Sequence, residues 1–277
     1  MYKRILSAVN EFLNSEVAAK YALHLAKECN AKFYLCFIAD KRLSKESFNR
    51  AEEAIKRLFL QAEKMGIEAE IIMETGEPVK KIAEIVKNDK IDIVFAATRR
   101  EDLKRSFYEG AISRSLLLKL TCSVAIVRVA HIGKIFPKRV LVPLRTGAGT
   151  NEEKAFFTAK IAGAFGSKVF VFHTSRSIKK FFHGEIHLTH TELEKNMPED
   201  ILLFTEKMEK HDVPYEISLA SGQTGKAITI EAFTRRHDLI IMGASLRSLL
   251  KKAVQSSPVE EVLRETPCDL IIFKPRI

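Results

Sequence analysis

Basic residues gather in two short clusters, Arg99, Arg100, Lys104 and Arg105 in the first half of the chain and Arg247, Lys251 and Lys252 in the second. Cations at this density repel one another unless water or an anion screens them, so each cluster is either a solvated loop or the rim of a site for a phosphate-sized ligand. Three histidines, His183, His187 and His190, stand at i, i+4 and i+7. On a helix they would share a face and could supply three imidazoles to zinc, but Phe181, Phe182 and Ile186 surround them and Gly184 weakens a helix there, which favours a surface or partner-contacting segment and assigns no metal. Gly222-Gln223-Thr224-Gly225-Lys226 looks like a piece of a phosphate loop, yet such a loop needs Ser or Thr after the lysine and Ala227 stands there. A turn and helix start is the expectation. His173, near the end of a strand, is expected to be a packed histidine. The patterns G-x-S-x-G, H-E-x-x-H and G-x-G-x-x-G are not found in the sequence, so no catalytic residue is assigned and binding is expected in place of turnover. Cys29, Cys36, Cys122 and Cys268 show neither C-x-x-C spacing nor disulfide density and are expected to be reduced, mostly buried thiols.

The elements that must position these residues come in two copies. Arg4-Ile5-Leu6-Ser7-Ala8-Val9-Asn10 recurs as Arg139-Val140-Leu141-Val142-Pro143-Leu144-Arg145, and Gly76, Lys80, Asp92 and Cys122 recur 146 residues later as Gly222, Lys226, Asp238 and Cys268. Within copy one, Ile5–Val9, Lys32–Ile38, Ala69–Met73, Ile91–Ala96 and Val124–Val129 are short runs suited to buried strands. Between them Ala18, Tyr21, Ala22, Leu25, Ala26 and Cys29 make one helical stripe, an amphipathic stretch runs from Lys45 to Met65, Val79, Ile82, Ala83 and Val86 line a third helix, and Leu116 to Leu120 closes a fourth. Copy two repeats the order with strands near Val140, Val169, Ile217, Ile240 and Ile271. The predicted fold is α/β: two tandem five-stranded, doubly wound parallel sheets of strand order 3-2-1-4-5. The expected divisions are residues 1–130, a linker 131–137 ending in proline, and 138–277 with a longer middle segment at about 176–200. In such a fold ligands sit at the carboxyl ends of strands 1 and 4, beside helix N-termini whose free N–H groups favour anions.

At those loops the sequence resembles the universal stress protein family, nearly end to end and twice over. The family's nucleotide-binding members carry an aspartate after strand 1 and a Gly-2x-Gly-9x-Gly-Ser/Thr segment after strand 4 that holds ATP phosphates. Copy two matches the spacing with Gly243-Ala244-Ser245-Leu246, nine residues, then Ser256-Ser257; copy one gives Ala97-Thr98-Arg99-Arg100, nine residues, then Gly110-Ala111. The aspartate is replaced by Asn10, which can still accept from a ribose hydroxyl, and by Arg145, which cannot accept a hydrogen bond. The resemblance implies an adenine-nucleotide alpha-hydrolase-like fold, a degenerate nucleotide site with ATP or AMP as candidate ligand, and cofactor-binding positions Gly243, Ser245, Arg247, Ser256, Ser257, Arg145, Asn10 and Gly110. Ser256 and Ser257 make copy two the expected seat of any phosphate and copy one mainly structural. It also implies pairing through the last strand, so Ser123–Val129 and Leu270–Lys274 should meet as a pseudo-dimer.

Composition narrows the class. A chain of 277 residues, 46% hydrophobic and 29% charged, with 8 Pro and 12 Gly, has the apolar content for packed domains and excludes collagen-like and low-complexity architecture. Its apolar runs are too short for a membrane span, and Asn10 and Glu11 interrupt the run behind Met1-Tyr2-Lys3-Arg4 too early for a secretory signal, so a cytoplasmic protein is expected. The net charge of +10 divides evenly, +5 in residues 1–130 and +5 in the remainder. No basic tail forms. Nucleic acid is therefore the weakest expectation, behind an adenine-nucleotide binder or slow ATPase working through copy two. A non-enzymatic stress protein that binds a small phosphate-bearing ligand, a protein partner or a second copy is the favoured one.

Overall fold

A computed structural model of the 277-residue chain describes residues 2–40, 43–98, 112–133, 135–145, 152–174, 198–220, 224–244 and 257–276. Copy one runs β1 (Arg4–Ala8), α1 (Leu13–Cys29), β2 (Lys32–Ala39), α2 (Lys45–Lys64), β3 (Ala69–Thr75), α3 (Pro78–Asn88), β4 (Ile93–Ala97), α4 (Ile112–Lys119) and β5 (Ser123–Arg128). Copy two runs β6 (Arg139–Leu144), α5 (Glu152–Phe165), β7 (Lys168–Thr174), α6 (Glu199–Lys210), β8 (Tyr215–Ala220), α7 (Thr224–Thr234), β9 (Leu239–Gly243), α8 (Pro258–Glu265) and β10 (Asp269–Lys274). The fourth strand starts at Ile93, two residues later than its apolar run, because Ile91 N–H donates to Val86 O and finishes α3.

The strands form one sheet of order β3-β2-β1-β4-β5-β10-β9-β6-β7-β8. Each half has the expected 3-2-1-4-5 order and is parallel throughout. The halves join where β5 meets β10 antiparallel, with Val127 opposite Ile271 and Ile126 opposite Ile272. This is the last-strand pairing that the resemblance implied, and it removes two of the edges that separate sheets would leave open.

Residue alternation along the strands builds two cores. Ile5, Phe33, Phe95 and Val127 face α1, α2, α5 and α6 together with Val140, Val169 and Ile271; Leu6, Cys36, Val94 and Ile126 face the opposite helix layer together with Leu141, Phe170 and Ile272. The first core crosses the seam. Phe95 of β4 lies 6.1 Å from Phe157 of α5, His24 lies 4.6 Å from Phe165, and Lys160 bonds Glu28 at 3.1 Å. Cys36, Cys122 and Cys268 are buried and Cys29 half-buried, all as free thiols.

The repeat extends to backbone detail. Left-handed residues follow the helices in pairs, Asn30 with Gly166, Gly66 with Asp212, and Lys90 with Arg236. Asp92 Oδ2 accepts from Lys3 and Arg4 N–H, and Asp238 Oδ2 accepts from Lys138 and Arg139 N–H. These repeated aspartates therefore anchor the start of the first strand in each copy, and their recurrence needs no ligand to explain it.

Candidate functional site

The carboxyl ends of β1 and β4 open into a cleft of 590 Å³ whose described wall includes Asn10, Glu11, Phe37, Asp40, Glu77, Ile82 and Ser113. Its carboxylates come from Glu11, Asp40 and Glu77, and among its described residues no lysine or arginine contributes. Asn10 is fixed by the turn that starts α1: its N–H donates to Ser15 Oγ at 3.0 Å and its Oδ1 accepts from Phe12 N–H at 3.0 Å. One lone pair of that oxygen is thus engaged, which weakens the acceptor role expected of it toward a ribose hydroxyl. Asn14 Nδ2 reaches Thr98 O at 3.4 Å and ties the loop after β1 to the end of β4. Glu77 caps α3, accepting from Val79 and Lys80 N–H, and so occupies the donors that a helix N-terminus would otherwise turn toward an anion.

Ser113 differs from these. It sits in the first turn of α4, is 3% exposed, and its Oγ has no hydrogen-bond partner among the described residues. A buried hydroxyl left unpaired is unfavourable by about 1–3 kcal/mol, and this one borders the cleft. Cys36 borders it too, but burial pushes its thiol up to about 12, so the sulfur is protonated and a poor nucleophile.

In copy two the equivalent position lies between the ends of β6 and β9. Gly243 ends β9, and Ala244 N–H donates to Phe273 O at 2.7 Å. Among the described residues, a Cβ at Gly243 would meet the Lys154 chain at 3.8 Å, an ordinary van der Waals contact. Arg145 follows β6 and is exposed. Ser257 is the N-cap of α8: its Oγ accepts from Glu260 N–H at 3.3 Å, with Pro258 opening the helix. The acceptor side of this hydroxyl serves the cap, a structural role that the sequence reading did not assign to it. Ser245, Arg247, Ser256 and Gly110 lie outside the described residues, as do the two basic clusters and His183, His187 and His190.

The residue that sequence reading missed is Lys154. It lies on the buried stripe of α5 with Phe157 and Ile161, is 3% exposed, and its Nζ donates to Pro143 O at 3.0 Å. Among the described residues no carboxylate answers it. Burial alone lowers its ammonium from 10.5 to about 7, with the neutral Pro143 carbonyl as its partner among the described residues. A lysine three residues before Phe157 in an otherwise apolar stripe was the available signal. The offset of 136 residues between α1 and α5 places Ala18 at this position in copy one.

Two other expectations can be placed. His173 is 6% exposed and packed, with Nδ1 3.2 Å from Leu144 O. Thr224 opens α7, and Gly225 packs so closely on α8 that the Glu261 side chain lies where a Cβ would sit; the described part of the Gly222–Lys226 run is a helix start. No described helix is long and apolar enough to cross a membrane.

Comparison with known proteins bears on this geometry. The model of the Universal stress protein family matches residues 1–128 and again 137–274. A universal stress protein of Methanocaldococcus jannaschii is 26% identical over 142 residues, covering 46% of this chain and 83% of that one. Among solved structures, a universal stress protein from Archaeoglobus fulgidus DSM 4304 superposes with a TM-score of 0.66 at 18% identity, over 99% of this chain and 96% of that chain. The cytoplasmic domain of a prokaryotic cation chloride cotransporter superposes with a TM-score of 0.62 at 10% identity, over 100% of this chain and 96% of that one. At these identities the structural likenesses show the fold alone.

Proposed function

The chain belongs to the universal stress protein family, with the family's domain present twice, and from that premise we propose that it is a non-enzymatic, cytoplasmic stress-response protein that responds to a small anionic ligand bound in copy two. The observation that carries this reading is Lys154. A desolvated ammonium with no carboxylate partner among the described residues is unfavourable where it stands, and an anion entering between β6 and β9 would restore its charge with a charge-assisted hydrogen bond. Arg145 and Ser257 stand at the flanking positions; Ser245, Arg247 and Ser256 complete the proposed set from the residues adjoining Gly243 and Ser257. The protonated thiol of Cys36 and the capping roles of Glu77 and Ser257 support binding in preference to turnover.

A second reading draws on the cleft of copy one. Its apolar floor, its carboxylates and the unpaired Ser113 hydroxyl suit the base and sugar of an adenine nucleoside better than a phosphate, which Glu11, Asp40 and Glu77 would repel. Calorimetry separates the two. Sulfate, AMP and ATP should bind the wild type and lose most of their affinity in Lys154→Met, whereas adenosine should be indifferent to that change and sensitive to Ser113→Ala. Anion affinity unaltered in Lys154→Met, or multiple turnovers of ATP to ADP, would overturn the first reading.

A further inference from the structure

The helix α7 shows solvent a row of side chains that a helix in this position has no packing reason to carry. Ile230 is 64% and Phe233 73% exposed, and with the exposed Lys226 they follow one another at i, i+4 and i+7, a single line along the helix, with the exposed Arg236 in the turn just beyond its end. The opposite side is apolar as well, since Ile228 and Ala232 are buried in the core. A helix apolar on both faces is normally buried on both.

Copy one supplies the control. The 146-residue offset puts Lys80, Glu84 and Lys87 of α3, and Lys90 just after it, where copy two has Lys226, Ile230, Phe233 and Arg236. The frames agree in detail: Ile82 and Ile228 are buried at matching positions, and Lys90 and Arg236 share the positive φ that ends each helix. With the frame fixed, the fold accepts Glu and Lys at the two outer positions. Ile230 and Phe233 are there for contact with something else.

We propose that this face of α7 docks an acidic amphipathic segment of a partner protein, whose apolar side chains pack on Ile230 and Phe233 while its carboxylates pair with Lys226 and Arg236. Charge selects this occupant. Among the described residues Lys226 and Arg236 are in no ion pair, whereas Arg235, off the row, is already held by Glu216 and Glu231. Two uncompensated cations bracketing the apolar pair oppose a second copy of the same face, on a chain of net charge +10, and favour carboxylates. The helical part of the row, Lys226 to Phe233, is about 10 Å long at the helical rise per residue, the footprint of some two turns of a partner helix, which suits a helical segment better than a broad anionic membrane.

The test uses the full chain and a labelled synthetic helix of about 16 residues with Leu along one face and Glu on either side of it, titrated by fluorescence anisotropy. The wild type should bind one peptide. The double variant Ile230→Glu/Phe233→Lys, which installs copy one's own residues, should bind roughly 30-fold more weakly, the loss typical of an aromatic anchor at an interface centre. The reciprocal variant Glu84→Ile/Lys87→Phe should raise the stoichiometry to two, and Lys226→Glu should weaken binding and its salt dependence together. Equal affinity of wild type and double variant overturns the proposal, as does equal binding of a peptide with Lys in place of Glu. A wild-type dimer in sedimentation velocity that the double variant loses would assign the face to a second copy. Co-sedimentation with phosphatidylglycerol vesicles that requires Phe233, without peptide binding, would assign it to a membrane.

Discussion

Replacing Lys154 with methionine should stabilise this protein while removing its response to anions. The ammonium falls from 10.5 to about 7 on burial, and a depression of that size corresponds to roughly 5 kcal/mol of destabilisation when the unfolded chain is charged. Methionine keeps the length of the stem and needs no solvation; it forfeits the bond from Nζ to Pro143 O, about 1 kcal/mol, and packs imperfectly for about as much again. The net expectation near pH 7 is a gain of about 3 kcal/mol. Its pH course is fixed in sign. Below about 7 both folded and unfolded states carry the proton and the wild type bears the whole penalty. Between about 7 and 10.5 the unfolded state holds more protons, so wild-type stability rises with pH relative to the variant, and above that window the penalty is gone and the wild type is the more stable by the roughly 2 kcal/mol that methionine forfeits. Urea unfolding of both proteins at several pH values measures it. A difference that stays constant across the window would refute the assignment of a desolvated ammonium. Sulfate, whose charge is constant in this range, gives the functional counterpart: its affinity for the wild type should drop about tenfold from pH 6 to pH 8, and a slope that survives in Lys154→Met would show that other groups bind the ion.

Ser113→Ala removes a buried hydroxyl that has no partner, so thermal unfolding should show stability unchanged or raised by up to about 1 kcal/mol; a loss of more than that would mean the oxygen is satisfied. Tyr21 OH donates to Asp269 Oδ2 at 2.8 Å across the seam, where burial raises the carboxyl, and Tyr21→Phe should destabilise the chain by about 1–3 kcal/mol in denaturant titrations. Cys36, Cys122 and Cys268 are each pushed up to about 12 by burial, so a thiol reagent at pH 8 should modify them only as fast as the protein opens. Reaction of all three within seconds in native buffer would contradict their placement.

How much was legible in the sequence follows from which interactions are local or periodic. The recurrence of Arg4–Asn10 at Arg139–Arg145, the alternation along strands such as Lys32–Ala39 and the stripe through Ala18, Tyr21, Ala22 and Leu25 are one-dimensional signals, and they were enough for two α/β copies and the strand order of each. The joining of β5 to β10 could be expected because a strand like Val124–Val127 cannot be left as an open edge. Roles at the site were less legible. Ser257 reads as a phosphate donor in a motif, but its Oγ faces Glu260 N–H and caps a helix. Asn10 reads as a free acceptor, and its Oδ1 holds Phe12 N–H.

Lys154 and Phe233 mark the boundary between the two kinds of information. Each is an ordinary residue for its helix, and hydropathy assigns the lysine to solvent and the phenylalanine to the core. The structure reverses both, leaving the lysine 3% and the phenylalanine 73% exposed. Sequence by itself determined the elements, because hydrogen-bonded periodicity and apolar spacing are properties of the chain. Only the tertiary structure decided which charge is stripped of water and which apolar side chain is left in it, because desolvation depends on what the rest of the molecule packs around an atom.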